Sequence, residues 1–287
     1  TMLEAAELLD IRIPTLCHMK MDCLNFEHRS GSCRVCVVEV KGRPNLAPAC
    51  STPVTEGMEV HTNTLRAINA RRTILDLLLS DHPKDCLICP KNLDCQLQAL
   101  AQELGLHHLL YKGEQSTYNR DLSSKAIARD LDKCIMCRRC ETACNVIQTV
   151  GVLSGVGRGF EAVVAPAGLK PLVETECVFC GQCVQACPVG ALTEMDYKYP
   201  VWRMLNDPAK TVVVQTAPAV RVAIGEEFGM APGSVSTGKM VAALRKLGFD
   251  KVFDTDFAAD LTIMEETTEL IERVKSGENL PILTSCC

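Results

Sequence analysis

The sequence predicts an α+β protein that is built from several domains. The chain has 287 residues, which is enough for two to four compact units. Its 18 cysteines fall into short runs, and the segments between the runs carry mixed helical and strand patterns. We predict four domains, at residues 1–62, 63–108, 109–200 and 201–287.

Composition excludes several classes of protein. The net charge of −5 argues against a nucleic-acid surface. No apolar run is long enough to cross a bilayer, and no signal peptide is visible. A secreted disulfide scaffold would spread its cysteines along the chain, so we expect the reducing cytoplasm of an anaerobe instead. We also expect both ends of this chain to lie inside a longer polypeptide.

The most informative stretch repeats the cysteine spacing C-x2-C-x2-C-x3-C. The two runs are Cys134, Cys137, Cys140 and Cys144, then Cys177, Cys180, Cys183 and Cys187. This spacing is typical of cubane iron–sulfur sites, in which three sulfurs of a run converge on one cluster and the fourth reaches the other cluster. We therefore expect Cys187 to join the first run and Cys144 to join the second. Structural zinc fits the doubled pattern poorly, because zinc prefers isolated sites with four ligands.

This doubled motif resembles that of the bacterial two-cluster [4Fe–4S] ferredoxins. Asn145 stands where a proline usually follows the fourth cysteine, and the interval from Cys144 to Cys177 is long. Both departures leave the ligands intact. They predict an elaborated loop, with a turn between strands in the glycine-rich stretch 151–160.

The first domain contains a second cysteine group, which follows a predicted helix at 1–10 and surrounds a predicted strand at 37–40. Its members are Cys17, Cys33, Cys36 and Cys50. Four thiolates with one close pair also occur in plant-type two-iron sites, although the first gap here is longer. The stretches "IPTLC", "GSCRVCVVEV" and "ACSTPVTEGM" resemble the N-terminal ferredoxin-like domain of the complex I iron–sulfur subunit and of multi-cluster [FeFe]-hydrogenases.

That resemblance implies that the four thiols bind a [2Fe–2S] cluster in a plant-type ferredoxin-like domain, here without its N-terminal hairpin. Cys23 lies in the segment 19–29, which lengthens the first gap. We expect it to be a thiol outside the cluster. The alternative is that Cys23 takes the ligand position of Cys17.

The second domain begins with a predicted helix at 64–80, capped by Thr64, and continues with the pattern H-x3-C-x2-C-x5-C. Its members are His82, Cys86, Cys89 and Cys95. On chemistry alone, a zinc site with three cysteines and one histidine is an alternative. The spacing resembles the one-histidine, three-cysteine [4Fe–4S] motif of the same hydrogenase family, which implies a small helical domain. A neutral imidazole ligand makes a cluster less negative and should raise its potential.

The last domain alternates strand and helix, with a predicted buried strand at 211–214 and a helix at 239–247, which indicates an α/β lobe. The stretches "TAPAVRVAIGEEFG", "TIMEETTEL" and the final "TSCC" resemble the start of the H-cluster domain of [FeFe]-hydrogenases. No cysteine follows this "TSCC", so the sequence lacks the remaining H-cluster ligands of that family.

The resemblance also implies roles for individual residues of this lobe. Cys286 would exchange protons at the bridging amine of the di-iron site, and Cys287 would ligate the [4Fe–4S] half of the H-cluster. Glu266 and Glu269 would belong to the proton path, with Ala217 and Pro218 beside the di-iron cyanides. From the residues alone, the glutamates could equally solvate one face of a helix.

The resemblance covers the whole chain and implies a [FeFe]-hydrogenase subunit, which interconverts 2H⁺ + 2e⁻ and H2. It implies one [2Fe–2S] cluster, three [4Fe–4S] clusters of which one is histidine-ligated, and an H-cluster in the full-length protein. The clusters would relay electrons to or from a flavoprotein NAD(P)H subunit, ferredoxin or both, with a small [2Fe–2S] subunit as a further partner in a hetero-oligomer. Alternatives are a non-catalytic electron-transfer subunit of a complex I-like or formate dehydrogenase assembly, and a hydrogen-sensing relative. Residues 211–287 favour the hydrogenase.

Overall fold

The computed structural model describes residues 1–21, 24–28 and 31–284. They form two compact units, Thr1–Met195 and a second unit from Asp196 onward. Cys23, Cys286 and Cys287 lie outside the described residues. Among the described residues, none of the helices combines the length and the apolarity that a bilayer crossing requires.

The first unit opens with a short helix and small antiparallel sheets. Its elements are α1 (Met2–Glu7), β1 (Met19–Met21), β2 (Phe26–His28), β3 (Val37–Val40), β4 (Ala47–Pro48) and β5 (Val60–His61). Strand β3 has the predicted bounds and lies between β4 and β5. Helix α1 begins with a capping box between Thr1 and Glu4. The segment that lengthens the first cysteine gap forms the β1–β2 hairpin, which the sequence did not predict.

Two helices follow, α2 (Leu65–Asp81) and α3 (Gln96–Glu103). The Thr64 hydroxyl accepts a hydrogen bond of 3.2 Å from the Ala67 N–H, so the predicted cap is confirmed. Leu75 on α2 and Leu97 on α3 are fully buried in one core with thiols of the cysteine motifs. The helices thereby hold the motif loops against a common core.

The doubled cysteine motif lies within a group of short helices and strands. They are β6 (Ile127–Arg129), α4 (Arg139–Thr142), β7 (Ser154–Val156), β8 (Val163–Ala165), α5 (Gln182–Ala186) and β9 (Leu192–Glu194). Strands β6 and β9 pair antiparallel, with Ala128 opposite Thr193. The glycine-rich stretch contains a strand as well as the predicted turn, because β7 pairs with β8 across residues 157–162.

The two motifs end differently because of the residue after the fourth cysteine. Helix α5 stops before Cys187 and Pro188. After α4, the chain continues as a π-helical turn, Ala143–Ile147, which contains Cys144. Asn145 is compatible with this turn, and its side-chain amide donates to the Leu153 carbonyl at 3.0 Å. The sequence predicted an elaborated loop after this motif. At Asn145 the structure instead extends the helix by one turn, and the spacing of the cysteines is unchanged.

The second unit is an α/β arrangement, as predicted. Its elements are α6 (Lys198–Leu205), β10 (Val213–Gln215), α7 (Val220–Ala223), α8 (Thr237–Leu247), β11 (Lys251–Phe253) and α9 (Thr255–Ser276). Strands β10 and β11 are parallel, with Val214 opposite Val252. The prediction that the first strand is buried is wrong for the described residues, since Val213 is 57% exposed. In the part of the chain that is described, this sheet has only two strands, so its faces are incompletely covered.

Candidate iron–sulfur sites

The first domain brings the thiols of its cysteine group together. All four thiols, Cys17, Cys33, Cys36 and Cys50, are buried, and every cysteine among the described residues is a free thiol. Cys17 is hydrogen-bonded to both Cys33 and Cys50, and Cys36 is hydrogen-bonded to Cys50. The bond to Cys50 lowers the pKa of Cys36 to about 7. Four buried thiols linked by these three contacts form a donor set that suits a two-iron cluster once the thiols are deprotonated.

The first run of the doubled motif associates with the last cysteine of the second run. Burial raises the pKa of Cys137 to about 12, and Cys187 and Cys134 add to the effect. Burial also raises the pKa of Cys140, with contributions from Cys137, Cys187 and Cys134. Cys187 thus lies among Cys134, Cys137 and Cys140, within the range at which thiolates repel one another.

The remaining four cysteines surround a separate small cavity of about 20 Å³. Its lining includes Cys144, Cys177, Cys180 and Cys183, together with apolar side chains of the core. Burial raises the pKa of Cys183 to about 12, and Cys177, Cys180 and Cys144 contribute in the same direction. The fourth cysteine of each motif therefore lies with the first three of the other motif.

The backbone of both cysteine runs adopts the left-handed conformation at matching positions. In the first run these are Met136 and Arg138, with φ of 52° and 62°. In the second run they are Phe179 and Gly181, with φ of 51° and 78°. Left-handed residues that alternate with right-handed ones turn successive N–H groups into one concavity, as in anion and iron–sulfur sites. The strain of a non-glycine residue in this region is typical of functional loops, so the backbone fits a negatively charged cluster.

The histidine-containing motif is less completely assembled. Cys86 and Cys89 both act electrostatically on Cys95, so the three thiols are neighbours. His82 ends α2, and burial lowers its pKa to about 4, which keeps the imidazole neutral as a ligand requires. The charged groups that act most strongly on His82 are Lys133 and Asp85, rather than the three thiols.

Gly190 makes a close approach to this motif. A Cβ atom at Gly190 would lie 2.6 Å from Cys89 Sγ and 3.4 Å from a side-chain carbon of Lys133. A free thiol can rotate away from such a contact, but a sulfur bound to a cluster cannot. The residue at 190 is therefore restricted to glycine if Cys89 is a ligand.

Gly190→Ala is expected to lower the occupancy of the cluster at this motif while leaving the fold intact. The quantities to measure are the iron content and the EPR signals of the full-length protein, with circular dichroism to follow the fold. Gly113→Ala is the matched control, since no atom lies within 4 Å of its added Cβ. Unchanged iron content in Gly190→Ala would show that Cys89 is not held by a cluster.

The predicted residues of the last lobe occupy separate elements of the second unit. Ala217 and Pro218 lie just beyond the carboxyl end of β10, separated from it by Thr216, at the edge where parallel α/β sheets bind ligands. Glu266 and Glu269 lie on α9, where Glu266 is half-buried and Glu269 forms an ion pair with Arg273. How closely either glutamate approaches Cys286 lies outside the described residues.

Sequence reasoning missed several buried cations beside the cysteine groups. Arg129 pairs with Asp121 at 3.0 Å and acts on Cys183 and Cys177. Lys133 is buried between Asp85 and Asp130, at 2.8 and 3.3 Å. The available signal was the position of Lys133 and Arg139 immediately before ligand-type cysteines, but a basic residue in such a loop is ordinarily expected to be solvated.

The converging thiols indicate that this chain is an iron–sulfur protein. Comparisons with known protein families support this class. Residues 1–65 match the 2Fe-2S iron-sulfur cluster binding domain, and residues 71–109 match the NADH-ubiquinone oxidoreductase-G iron-sulfur binding region. Residues 171–193 match a 4Fe-4S binding domain. Residues 210–287 match the C-terminal domain of the iron only hydrogenase large subunit.

Individual relatives point in the same direction. The whole chain is 60% identical to the NADP-reducing hydrogenase subunit HndD of Solidesulfovibrio fructosivorans and covers 50% of that protein. It is 36% identical to iron hydrogenase 1 of Clostridium pasteurianum, again over the whole chain and 49% of the relative. A crystal structure of an NAD⁺-reducing [NiFe]-hydrogenase in the H2-reduced state contains a similar chain, with 31% identity and a TM-score of 0.60. That similarity covers 68% of this chain and 80% of the other.

The chain therefore belongs to the iron-only, or [FeFe], hydrogenase family. It spans about half the length of the curated relatives that it matches. Domains for 2Fe–2S and 4Fe–4S clusters are present together with part of the hydrogenase domain.

Proposed function

We propose that this chain carries the accessory clusters and the start of the active-site lobe of a [FeFe]-hydrogenase. In the whole protein, the lobe interconverts protons, electrons and hydrogen, and each accessory cluster accepts and releases one electron. The observation that carries the paired accessory clusters is the crossed grouping of thiols, in which Cys144 lies with Cys177, Cys180 and Cys183. Two simple knuckles, each closed by its own four cysteines, would not produce it. The active-site lobe is supported by the hydrogenase family match of residues 210–287.

We assign four domains with the bounds 1–62, 63–108, 109–200 and 201–287. The first three hold four accessory sites, and the last is the active-site lobe. A [2Fe–2S] cluster is bound by the thiols of the first domain, and a [4Fe–4S] cluster by His82 with Cys86, Cys89 and Cys95. Two further [4Fe–4S] clusters are held by the crossed sets. The ligands of the crossed sets are Cys134, Cys137, Cys140 and Cys187 for one cluster, and Cys144, Cys177, Cys180 and Cys183 for the other.

The protein contributes burial, charge and orientation to these sites. Left-handed residues in the cysteine loops would direct N–H groups toward cluster sulfurs, and hydrogen bonds to the sulfurs favour the reduced, more negative cluster. Burial of the thiols acts in the opposite direction, because desolvation disfavours additional negative charge. Hydrogen chemistry requires two electrons, whereas each cluster carries one. A series of clusters with adjusted potentials can deliver the two electrons in succession.

In the active-site lobe, we assign proton transfer to Cys286 with Glu266 and Glu269, and ligation of the H-cluster to Cys287. Ala217 and Pro218 are assigned to the wall of the pocket that would hold the di-iron site. The i, i+3 spacing on α9 supports the pair of glutamates, because both carboxylates can point to one side of the helix. The position of Ala217 and Pro218 after β10 supports their assignment.

We propose that the protein works in the cytoplasm within a hetero-oligomer. Its electron partner is a flavoprotein subunit that oxidises NAD(P)H, with a small [2Fe–2S] subunit, or alternatively ferredoxin. The name of the Solidesulfovibrio relative, a subunit of an NADP-reducing hydrogenase, supports a nucleotide-linked partner. The similar crystal structure is that of an NAD⁺-reducing hydrogenase, which supports the same kind of partner.

The test is to expose the oxidised full-length protein to H2 and to record EPR spectra over time. We expect hydrogen to reduce the accessory clusters in the absence of any partner protein. Clusters that respond to dithionite but never to H2 would contradict the hydrogenase activity. They would favour the alternative of a non-catalytic electron-transfer subunit.

A further inference from the structure

Arg139 connects the loops of two of the proposed cluster sites. Its guanidinium Nη2 donates a hydrogen bond of 2.6 Å to the carbonyl oxygen of His18. His18 directly follows Cys17, and Arg139 directly precedes Cys140. The Arg139 side chain is only 6% exposed. One buried cation thus touches the loop of the [2Fe–2S] site while belonging to the loop of the first [4Fe–4S] site.

The β1–β2 hairpin forms a second link between the same two loops. His28, at the end of β2, donates through Nε2 to the Cys137 carbonyl at 3.1 Å. Its Nδ1 atom accepts a hydrogen bond of 2.8 Å from the Thr142 hydroxyl. At the same end of the hairpin, His18 directly precedes β1 and contacts Glu27. The inserted segment therefore attaches to residues on both sides of Arg139 in the chain.

The charge of Arg139 faces thiols from both sites. The thiols that act electrostatically on its guanidinium are those of Cys137, Cys17, Cys33 and Cys187. Two of these thiols belong to each proposed cluster. Its Nε atom is buried and has no hydrogen-bond partner within the described residues. A buried, incompletely bonded cation is costly unless an anion lies nearby. Thiolate-ligated clusters at the two assigned sites would supply that negative charge.

We propose that the buried positive charge of Arg139 raises the reduction potentials of two clusters, the [2Fe–2S] cluster and the first [4Fe–4S] cluster. The proposal rests on the cluster assignments made above. Reduction adds one negative charge to a cluster, and a buried cation stabilises that charge much more strongly than a solvated one. Because Arg139 faces both clusters, it favours the reduced form of each, and the hairpin holds it in place between them.

The test is an EPR-monitored redox titration of the full-length holoprotein with Arg139→Gln. We expect the midpoint potentials of these two clusters to become more negative. At a fixed potential, the ratio of reduced to oxidised cluster should fall at least tenfold, which is ~59 mV for a one-electron couple. The other two accessory clusters should stay near their original potentials.

Arg12→Gln is the matched control. Like Arg139→Gln, it removes one positive charge. Arg12, however, lies on the surface of the first domain, where it is 74% exposed and pairs with Glu103 at 2.8 Å. We expect Arg12→Gln to leave all the potentials in place. Unmoved potentials in Arg139→Gln, equal shifts at all four clusters, or an equal shift in Arg12→Gln would each overturn the proposal.

If Arg139→Gln fails to assemble its clusters, Arg139→Lys tests whether the charge at this position sets the two potentials. Lysine keeps the charge, so both midpoint potentials should remain close to those of the original protein. A tenfold loss of reduced cluster in Arg139→Lys would show that the charge is not the cause and would overturn the proposal. If the unmodified protein shows no [2Fe–2S] or [4Fe–4S] signals, the cluster assignments themselves are wrong, which is a distinct result.

Discussion

Replacing Cys286 by alanine in the full-length protein is expected to abolish hydrogen turnover while the EPR signals of the accessory clusters remain. A thiol has an ordinary pKa of ~8.5, so it can both accept and release protons when its surroundings adjust that value. An alanine side chain can do neither. A positioned acid–base group contributes roughly 10²–10⁴ to a rate, so activity should fall at least about 10²-fold.

The measurement is hydrogen evolution from reduced methyl viologen, compared with the EPR spectrum of the same sample. Cys23→Ala is the control, because Cys23 lies outside every assigned ligand set and its loss should leave turnover and spectra unchanged. Retained hydrogen evolution in Cys286→Ala would remove the proton role assigned to this thiol. Loss of a [2Fe–2S] signal in Cys23→Ala would instead favour the alternative in which Cys23 is a ligand.

The second large effect concerns the crossed ligand sets. Cys187→Ser is expected to disrupt the cluster of the first run, although Cys187 belongs to the second motif. The spectrum of Cys187→Ser should therefore match that of Cys137→Ser. By the same reasoning, Cys144→Ser should match Cys180→Ser, because Cys144 shares its cavity with the second run.

Pairwise comparison of the four EPR spectra tests this arrangement without any prior assignment of the signals. Each serine variant should also lose iron, since a hydroxyl is a poorer ligand than a thiolate for iron–sulfur clusters. If Cys187→Ser matched Cys180→Ser and Cys144→Ser matched Cys137→Ser, each motif would close its own site and the crossed assignment would fail.

Sequence reasoning succeeded where local spacing determines geometry. The strand Val37–Val40, the cap at Thr64 and the α/β character of the last lobe all follow from patterns within a few residues. The crossed grouping of Cys144 and Cys187 was also predictable. This spacing is typical of two-cluster sites in which the fourth cysteine of each run reaches the other cluster.

The features that the sequence did not predict depend on contacts between distant segments. The β1–β2 hairpin is stabilised partly by His28, whose partner Cys137 is 109 residues away. Burial of Arg139 likewise depends on His18, at a separation of 121 residues. Neither pairing leaves a local pattern, and a basic residue in a cysteine loop is ordinarily expected to face solvent.

Left-handed backbone at Met136 and Phe179 was also not predicted, because neither residue type favours that region. Tertiary constraints override the local preference, as is common where a loop surrounds a bound group. In the second unit, the apolar composition of strand β10 predicted that the strand is buried. Among the described residues it is largely exposed. Burial of a strand depends on the elements that cover it, not on its own composition.

The central claim is that this chain holds one two-iron and three four-iron accessory clusters. It is tested most directly by Mössbauer spectroscopy of the anaerobically purified, ⁵⁷Fe-enriched full-length protein, combined with zinc analysis. We expect iron in one [2Fe–2S] and three [4Fe–4S] clusters besides that of the H-cluster, with no stoichiometric zinc. One equivalent of zinc together with one missing [4Fe–4S] cluster would contradict the account, because it would assign His82, Cys86, Cys89 and Cys95 to a structural zinc site.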